Sequence, residues 1–169
     1  NSVLYVSAYT KLLGCGLRLG FGVASKQVME VLSRLKFGGS TSQLSAMAVH
    51  GFLTNHKGEY VQNVATSLRA KRDAMLTALD EHFPSHCSWS KPHGGMMVWV
   101  RLPEGADTWS TLDNAVEADV KYNPGALFRA ARDRGNYLRL TYSHNSIQEI
   151  RDGVAILARV FDRHGLFDG

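Results

Sequence analysis

A chain of 169 residues with 44% apolar and 20% charged side chains is long enough to bury a core and too apolar to be disordered. No apolar run reaches the length of a membrane span, and none near the start resembles a signal peptide. The formal charge of +4 is scattered apart from Arg129, Arg132 and Arg134, which Asp133 interrupts. No basic stripe with aromatic interleaving points to nucleic acid, and a modest positive balance fits a small anionic ligand equally well. Cys15 and Cys87 make no disulfide framework in a domain of this size, so a reducing, cytoplasmic setting is expected.

The first residue is Asn1, and a strand-like run follows almost at once, so the chain is expected to be a fragment of a longer protein. Residues 3–8 and 17–24 read as two buried strands joined by a glycine-rich turn. GCGLRLG has the look of a dinucleotide fingerprint, but its third glycine comes one residue late and leads into a strand. The helix N-terminus that such a site needs is therefore missing. Ser25 caps a helix with Val28, Val31, Leu32 and Leu35 on one face, ended by Gly38 and Gly39. The run STSQ opens a second helix, whose face is Leu44, Met47, Ala48 and Phe52. After Gly58 comes the longest periodic stretch, 59–82, with Val61, Val64, Leu68, Met75, Leu76 and Leu79 as its stripe and Pro84 as its stop. At ~1.5 Å per residue it would run ~35 Å, a length suited to bridging two domains.

The second half has a different texture. CSWSKPHGGMMVWVRLPEG reads as two strands around a turn at 91–95, with Trp99 as the largest buried side chain. Residues 108–119 read as a helix, and VKYNPG as a short strand closed by Asn123-Pro124-Gly125. ALFRAARDRG is read as one or two helical turns. NYLRLTYS alternates, with Tyr137, Arg139, Thr141 and Ser143 on one face and Leu138, Leu140 and Tyr142 on the other. Ser146 and Glu149 form a capping box for a helix carrying Ile147, Ile150, Val154, Leu157 and Phe161 inward, ended by Gly165. The domain reading is therefore 1–58, an interdomain helix 59–83, and an α+β unit 84–169.

Three cations stand apart from the solvated ones. Lys11 closes an apolar run, Arg18 has almost only apolar neighbours, and Arg139 lies mid-strand between two leucines. A lysine at a strand end is ordinarily a solvated charge, and Arg139 would be unremarkable on a wet edge strand. A buried guanidinium, by contrast, needs a carboxylate or phosphate, and no acidic residue lies between Asn1 and Glu30, which favours a ligand. A lysine held among cations and apolar groups is a nucleophile for a carbonyl cofactor. His82, His86, Cys87 and His93 straddle a helix end and match no ligand spacing, so no metal is expected.

SAYTKLLGCGLRLGF resembles the lysine segment of fold-type I pyridoxal-phosphate enzymes, the class I/II aminotransferases, and most of all the 2-aminoadipate-type and MocR-like subgroup. GGMMVWVRLPEG, Asn123-Pro124-Gly125 and NYLRLTYS follow in the family's order. The resemblance implies an α/β fold: the carboxy-terminal part of the cofactor-binding large domain, a long interdomain helix and an α+β small domain. It implies pyridoxal 5'-phosphate as cofactor, an amino acid and a 2-oxo acid as substrates, and a homodimer that binds neither membrane nor, through this segment, nucleic acid. It makes Lys11 the Schiff-base lysine and carrier of the substrate α-proton. Arg18, helped by Thr10 or Ser7, would hold the cofactor phosphate, Arg139 the substrate α-carboxylate, and Gly95 would border the pocket. The sequence departs from the pattern at Ala8, where a hydroxyl residue is usual, and at Gly14-Cys15, where Ala-Pro is frequent. The family's ring-activating acid, stacking aromatic and asparagine precede the lysine, and the ten residues before Lys11 match none of them. The chain alone is expected to be inactive. The same resemblance allows the ligand-sensing domain of a MocR-type regulator, and a complete chain acting as a binding module is the remaining alternative.

Overall fold

The computed structural model describes residues 3–37, 39–130 and 135–168; Gly38, Arg132, Asp133 and Arg134, named above, lie outside them. In chain order the elements are β1 (Tyr5–Ala8), α1 (Thr10–Leu13), a 3-10 turn (Cys15–Leu17), β2 (Gly20–Val23), α2 (Lys26–Leu35) and α3 (Gln43–His82). There follow β3 (Ser88–Trp89), β4 (Met97–Arg101), α4 (Leu112–Glu117), β5 (Asn123–Pro124), a second 3-10 turn (Gly125–Phe128), β6 (Tyr137–Thr141) and α5 (Ile147–Arg163). The chain divides into two compact units, Asn1–Asn63 and Val64–Gly169, and the division falls inside α3.

In the first unit β1 and β2 pair antiparallel, Ser7 opposite Phe21 and Ala8 opposite Gly20. A Cβ on Gly20 would lie 2.8 Å from the Ser7 carbonyl oxygen, so only glycine lets the strands close here. Both strands are shorter than the sequence suggests, and neither holds a buried residue. Two four-residue strands offer each other edges and leave both sheet faces open. Their connection is not a simple turn, because α1 and a 3-10 turn are wound into it. Ser25 stands at the N-cap of α2, yet its side chain accepts no capping hydrogen bond, and no residue of α2 is buried.

The two helices expected around Gly58 are one helix, α3, of 40 residues. Thr54 and Asn55, residue types that often end helices, donate instead to the carbonyls of His50 (2.8 Å) and Gly51 (2.9 Å), four residues back. With those polar groups satisfied within the helix, an interior glycine costs only about 1 kcal/mol. Pro84 follows its end, as the sequence indicates. Among the described residues no helix is long and apolar enough to cross a membrane.

The second unit is a four-stranded antiparallel sheet in the order β3-β4-β6-β5. Val98 and Val100 of β4 lie opposite Leu140 and Leu138 of β6. These four side chains pack with Met75 and Leu79 of α3 and Val154, Leu157 and Phe161 of α5 in one core. The alternation read in NYLRLTYS is therefore realised: Leu138, Leu140 and Tyr142 are buried, while Tyr137, Arg139 and Thr141 look the other way. The capping box is present, with the Ser146 amide donating to Glu149 Oε2 at 2.6 Å and the Glu149 amide to Ser146 Oγ at 3.2 Å. Ile147, assigned inward, is 40% exposed because it stands in the first turn beyond the core's edge. Trp99 is only half-buried, since it lies on the sheet's other face; Tyr142 is the largest fully buried side chain. The helix read over 108–119 shrinks to α4. The Thr108 hydroxyl is engaged by the carbonyls of Gly135 (3.0 Å) and Tyr137 (2.8 Å), which ties this residue to β6 instead.

Candidate functional site

Lys11 and Arg18 stand on one closed loop. The Tyr9 amide donates to the Leu19 carbonyl at 3.0 Å, directly beyond the last β1–β2 pair, so both cations lie within two residues of the closure. Between them the α1 turn is stitched by Leu13 and Gly14 amides to the carbonyls of Tyr9 and Thr10. Gly14 sits at φ 123, a conformation suited to glycine. The loop is tied to α3 by the Tyr60 hydroxyl, which donates to the Leu12 carbonyl at 2.7 Å. Lys11 is exposed, and Thr10 and Ser7 are half-buried, Thr10 as the first residue of α1 and Ser7 within β1. Arg18, expected to be buried among apolar neighbours, is exposed, because the two short strands beside it bury nothing; it adopts φ 47, ψ 37. A left-handed non-glycine residue costs about 1–2 kcal/mol, and such strain gathers at functional sites.

Arg18 lines a cavity of about 560 Å³ together with Lys36, Ser40, Thr41, Ser42 and Ser45; Lys11, Thr10 and Ser7 do not line it. Two cations and a cluster of hydroxyls beside the first turn of α3 are a donor set suited to a phosphate-like anion. The sequence reading took the STS run only as caps, a role Ser42 does perform through its Oγ and the Ser45 amide (3.3 Å). It passed over Lys36, which no local pattern distinguishes from a surface lysine.

In the second unit Arg139 is central in β6, flanked across the sheet by Trp99 of β4 and Asn123 of β5. Asn123 and Pro124 reach it because Gly125 permits the approach: a Cβ there would lie 2.6 Å from Tyr137 Cβ and 2.8 Å from its carbonyl oxygen. The Arg139 guanidinium lies over the Phe128 ring, 4.1 Å from its centroid, and its Nε is buried without a hydrogen-bond partner. Among the described residues no carboxylate pairs with it. An arginine so placed keeps its donors free for an anion. Gly95, just before β4, is exposed with φ 82; a Cβ there would touch nothing, so its value is conformational. Among the described residues no group of three His, Cys, Asp or Glu side chains could hold a metal. His86 Nε2 lies 2.9 Å from the Phe167 carbonyl oxygen, and Cys87 belongs to the core.

The family model for aminotransferase class I and II matches residues 1–157. An aromatic-amino-acid aminotransferase of Thermococcus litoralis is 36% identical over 92% of this chain. An uncharacterised HTH-type transcriptional regulator of Bacillus subtilis, YdfD, is 30% identical over 90% of it. The solved structure of the α-aminoadipate aminotransferase LysN from Thermus thermophilus, in complex with N-(5'-phosphopyridoxyl)-L-leucine, superposes with a TM-score of 0.87 at 34% identity over 95% of this chain. The chain spans 38%, 32% and 42% of the lengths of these three proteins, respectively. Sequence, fold and the matched span agree: the chain belongs to the class I and II aminotransferase family.

Proposed function

We propose that the full-length protein carrying this chain is a pyridoxal-phosphate-dependent aminotransferase, a cytoplasmic homodimer exchanging an amino group between an amino acid and a 2-oxo acid. The observation that carries this reading is the closed loop bearing Lys11 and a strained Arg18, the latter on a cation- and hydroxyl-lined cavity. That donor set fits the cofactor's phosphate. Pyridoxal phosphate, when bound, supplies an aldehyde that takes up the amine and a ring that withdraws the electron pair left at the α-carbon. Lys11 Nζ would hold the aldehyde and move the proton off the substrate α-carbon. Arg18 and Lys36 would bind the phosphate, with Thr10 from the same loop and Ser7 from β1 adding hydroxyls. Arg139 would bind the substrate α-carboxylate through its free donors, and Gly95 would border that pocket. Free Cys15 and Cys87 are in keeping with a reducing compartment. With no acidic residue before Glu30 to keep the ring protonated, the 169 residues alone would not turn over substrate.

One experiment tests the reading. Pyridoxal phosphate added to the full-length protein is expected to give a visible absorption band and support amino transfer to a 2-oxo acid, both lost in Lys11→Ala. A band that persists in the variant sinks the lysine assignment. The similarity to an HTH-type regulator favours a second reading, a cofactor-responsive domain behind a DNA-binding one. A Lys11-dependent band without turnover, in a protein that retards a duplex from its own promoter, would decide for that reading.

A further inference from the structure

The sheet face turned away from the core carries a ladder of rings and cations drawn from β4, β6 and the 3-10 turn after β5. The Arg101 guanidinium lies 5.9 Å from the Tyr137 ring centroid, Tyr137 stacks on Trp99 at 5.8 Å, and Trp99 meets Phe128 edge-on at 5.8 Å. The ladder ends on Arg139, whose guanidinium carbon is 4.1 Å from the Phe128 centroid. We propose that Phe128, backed by Trp99, is a positioning residue that fixes the plane of the Arg139 guanidinium and so presents its edge to a ligand carboxylate. This rests on the reading of Arg139 as the carboxylate-binding group.

The argument is one of geometry and competition. A free arginine side chain carries rotamer entropy, which a ligand must otherwise overcome. A carboxylate can hold an arginine in place, but it occupies the same edge donors that a substrate needs. A ring occupies only the guanidinium's face and leaves the edge open. Arg139 fits that arrangement: among the described residues it has no ion pair, its Nε is buried without a partner, and its guanidinium carbon lies over an aromatic ring, 4.1 Å from the centroid. Phe128 is itself 45% exposed and outside the core, so packing in the core does not account for its place. Trp99, directly opposite Arg139 in the β4–β6 register, limits where the Phe128 ring can tilt.

The test uses the full-length protein and 3-phenylpropionate, a carboxylate without an amine, titrated calorimetrically, alongside KM and kcat for an amino-acid substrate. Phe128→Leu is expected to weaken 3-phenylpropionate binding and raise KM about 5- to 20-fold, with kcat and pyridoxal-phosphate affinity within about 2-fold. Phe128→Tyr, which keeps the ring, should restore most of the loss. In an Arg139→Ala background Phe128→Leu should add nothing, because the two side chains act as one unit. A Phe128→Leu protein that binds 3-phenylpropionate as wild type does, or that loses as much in the Arg139→Ala background, overturns the inference. If Phe128→Leu does not fold, Phe128→Met is read by the same criteria. Arg139→Ala binding 3-phenylpropionate normally would overturn the carboxylate reading itself, and the inference with it. Arg139→Ala weak and Phe128→Leu normal would overturn the inference alone.

Discussion

The two units of this chain reach order by different means. Among the described residues, Val49 is the one buried side chain of the first unit, whereas the second buries the valines and leucines of β4 and β6 under α3 and α5. Yet the first unit, with almost no core, still holds a defined backbone: a loop closed at Tyr9–Leu19, Gly14 at φ 123 and Arg18 in the left-handed region, as Asp119 is in the second unit. Backbone hydrogen bonds and special residues can thus shape a loop where burial contributes little. In the second unit, by contrast, Arg139 is positioned by the sheet whose other face is the core. Its geometry is only as firm as that core.

Truncating a side chain should separate the two units most strongly. Phe161 is fully buried and contacts the rings of Phe83, Tyr122 and Phe167. In the 169-residue chain Phe161→Ala is expected to cost about 3–5 kcal/mol of unfolding free energy in urea. Val6→Ala, at a strand position 70% exposed, should change it by less than about 0.5 kcal/mol. Equal losses at the two positions would show that the first unit depends on burial as the second does. Next in size is thiol reactivity. Cys87 is buried, and desolvation raises its pKa to about 11, whereas Cys15 is exposed. At pH 8 only about one Cys87 thiol in a thousand is the reactive thiolate. Ellman's reagent should therefore modify one thiol promptly and the second only on unfolding, and two prompt equivalents would contradict the core drawn around Cys87.

What the sequence made legible follows the same division. Signals that repeat at short range were readable: the alternation through Tyr142, the Ser146–Glu149 box, and the Lys11–Arg18 spacing that carried the family resemblance. Features set by distant partners were not. Asn123 and Pro124, read as part of a turn, instead pair with β6 as β5, and the strand expected just before them is absent. Gly58 looks like a helix boundary until Thr54 and Asn55 are seen bonding back along α3. Trp99 reads as core because its size suggests burial, while its β4 position puts it on the sheet face turned away from the core, with Phe128 and Tyr137. Lys36 joins Arg18 only through tertiary structure, and Phe128 lay in a segment whose helical pattern concealed its contact with Arg139.

The smallest effect compares two serines at the same kind of position. Ser146 and Ser25 both occupy helix N-caps with extended backbone, but only Ser146 accepts a hydrogen bond from its helix. Ser146→Ala is expected to lower stability by about 1 kcal/mol, and Ser25→Ala to leave the urea midpoint unmoved. The box also has a pH signature. The Ser146 backbone N–H, followed by the Ser146 side chain, holds the Glu149 carboxyl below the usual glutamate range. A carboxyl whose folded value is depressed contributes fully above its unfolded value, about 4.3, and the contribution is lost as pH falls through the folded value. Glu149→Gln should therefore reduce the stability difference between pH 7 and pH 3, leaving the variant closest to wild type at the acid end. Parallel pH profiles would mean that the carboxylate adds nothing an amide oxygen cannot. The cap would then act through Ser146 alone, and the asymmetry between the two serines would rest on the Glu149 amide that only Ser146 engages.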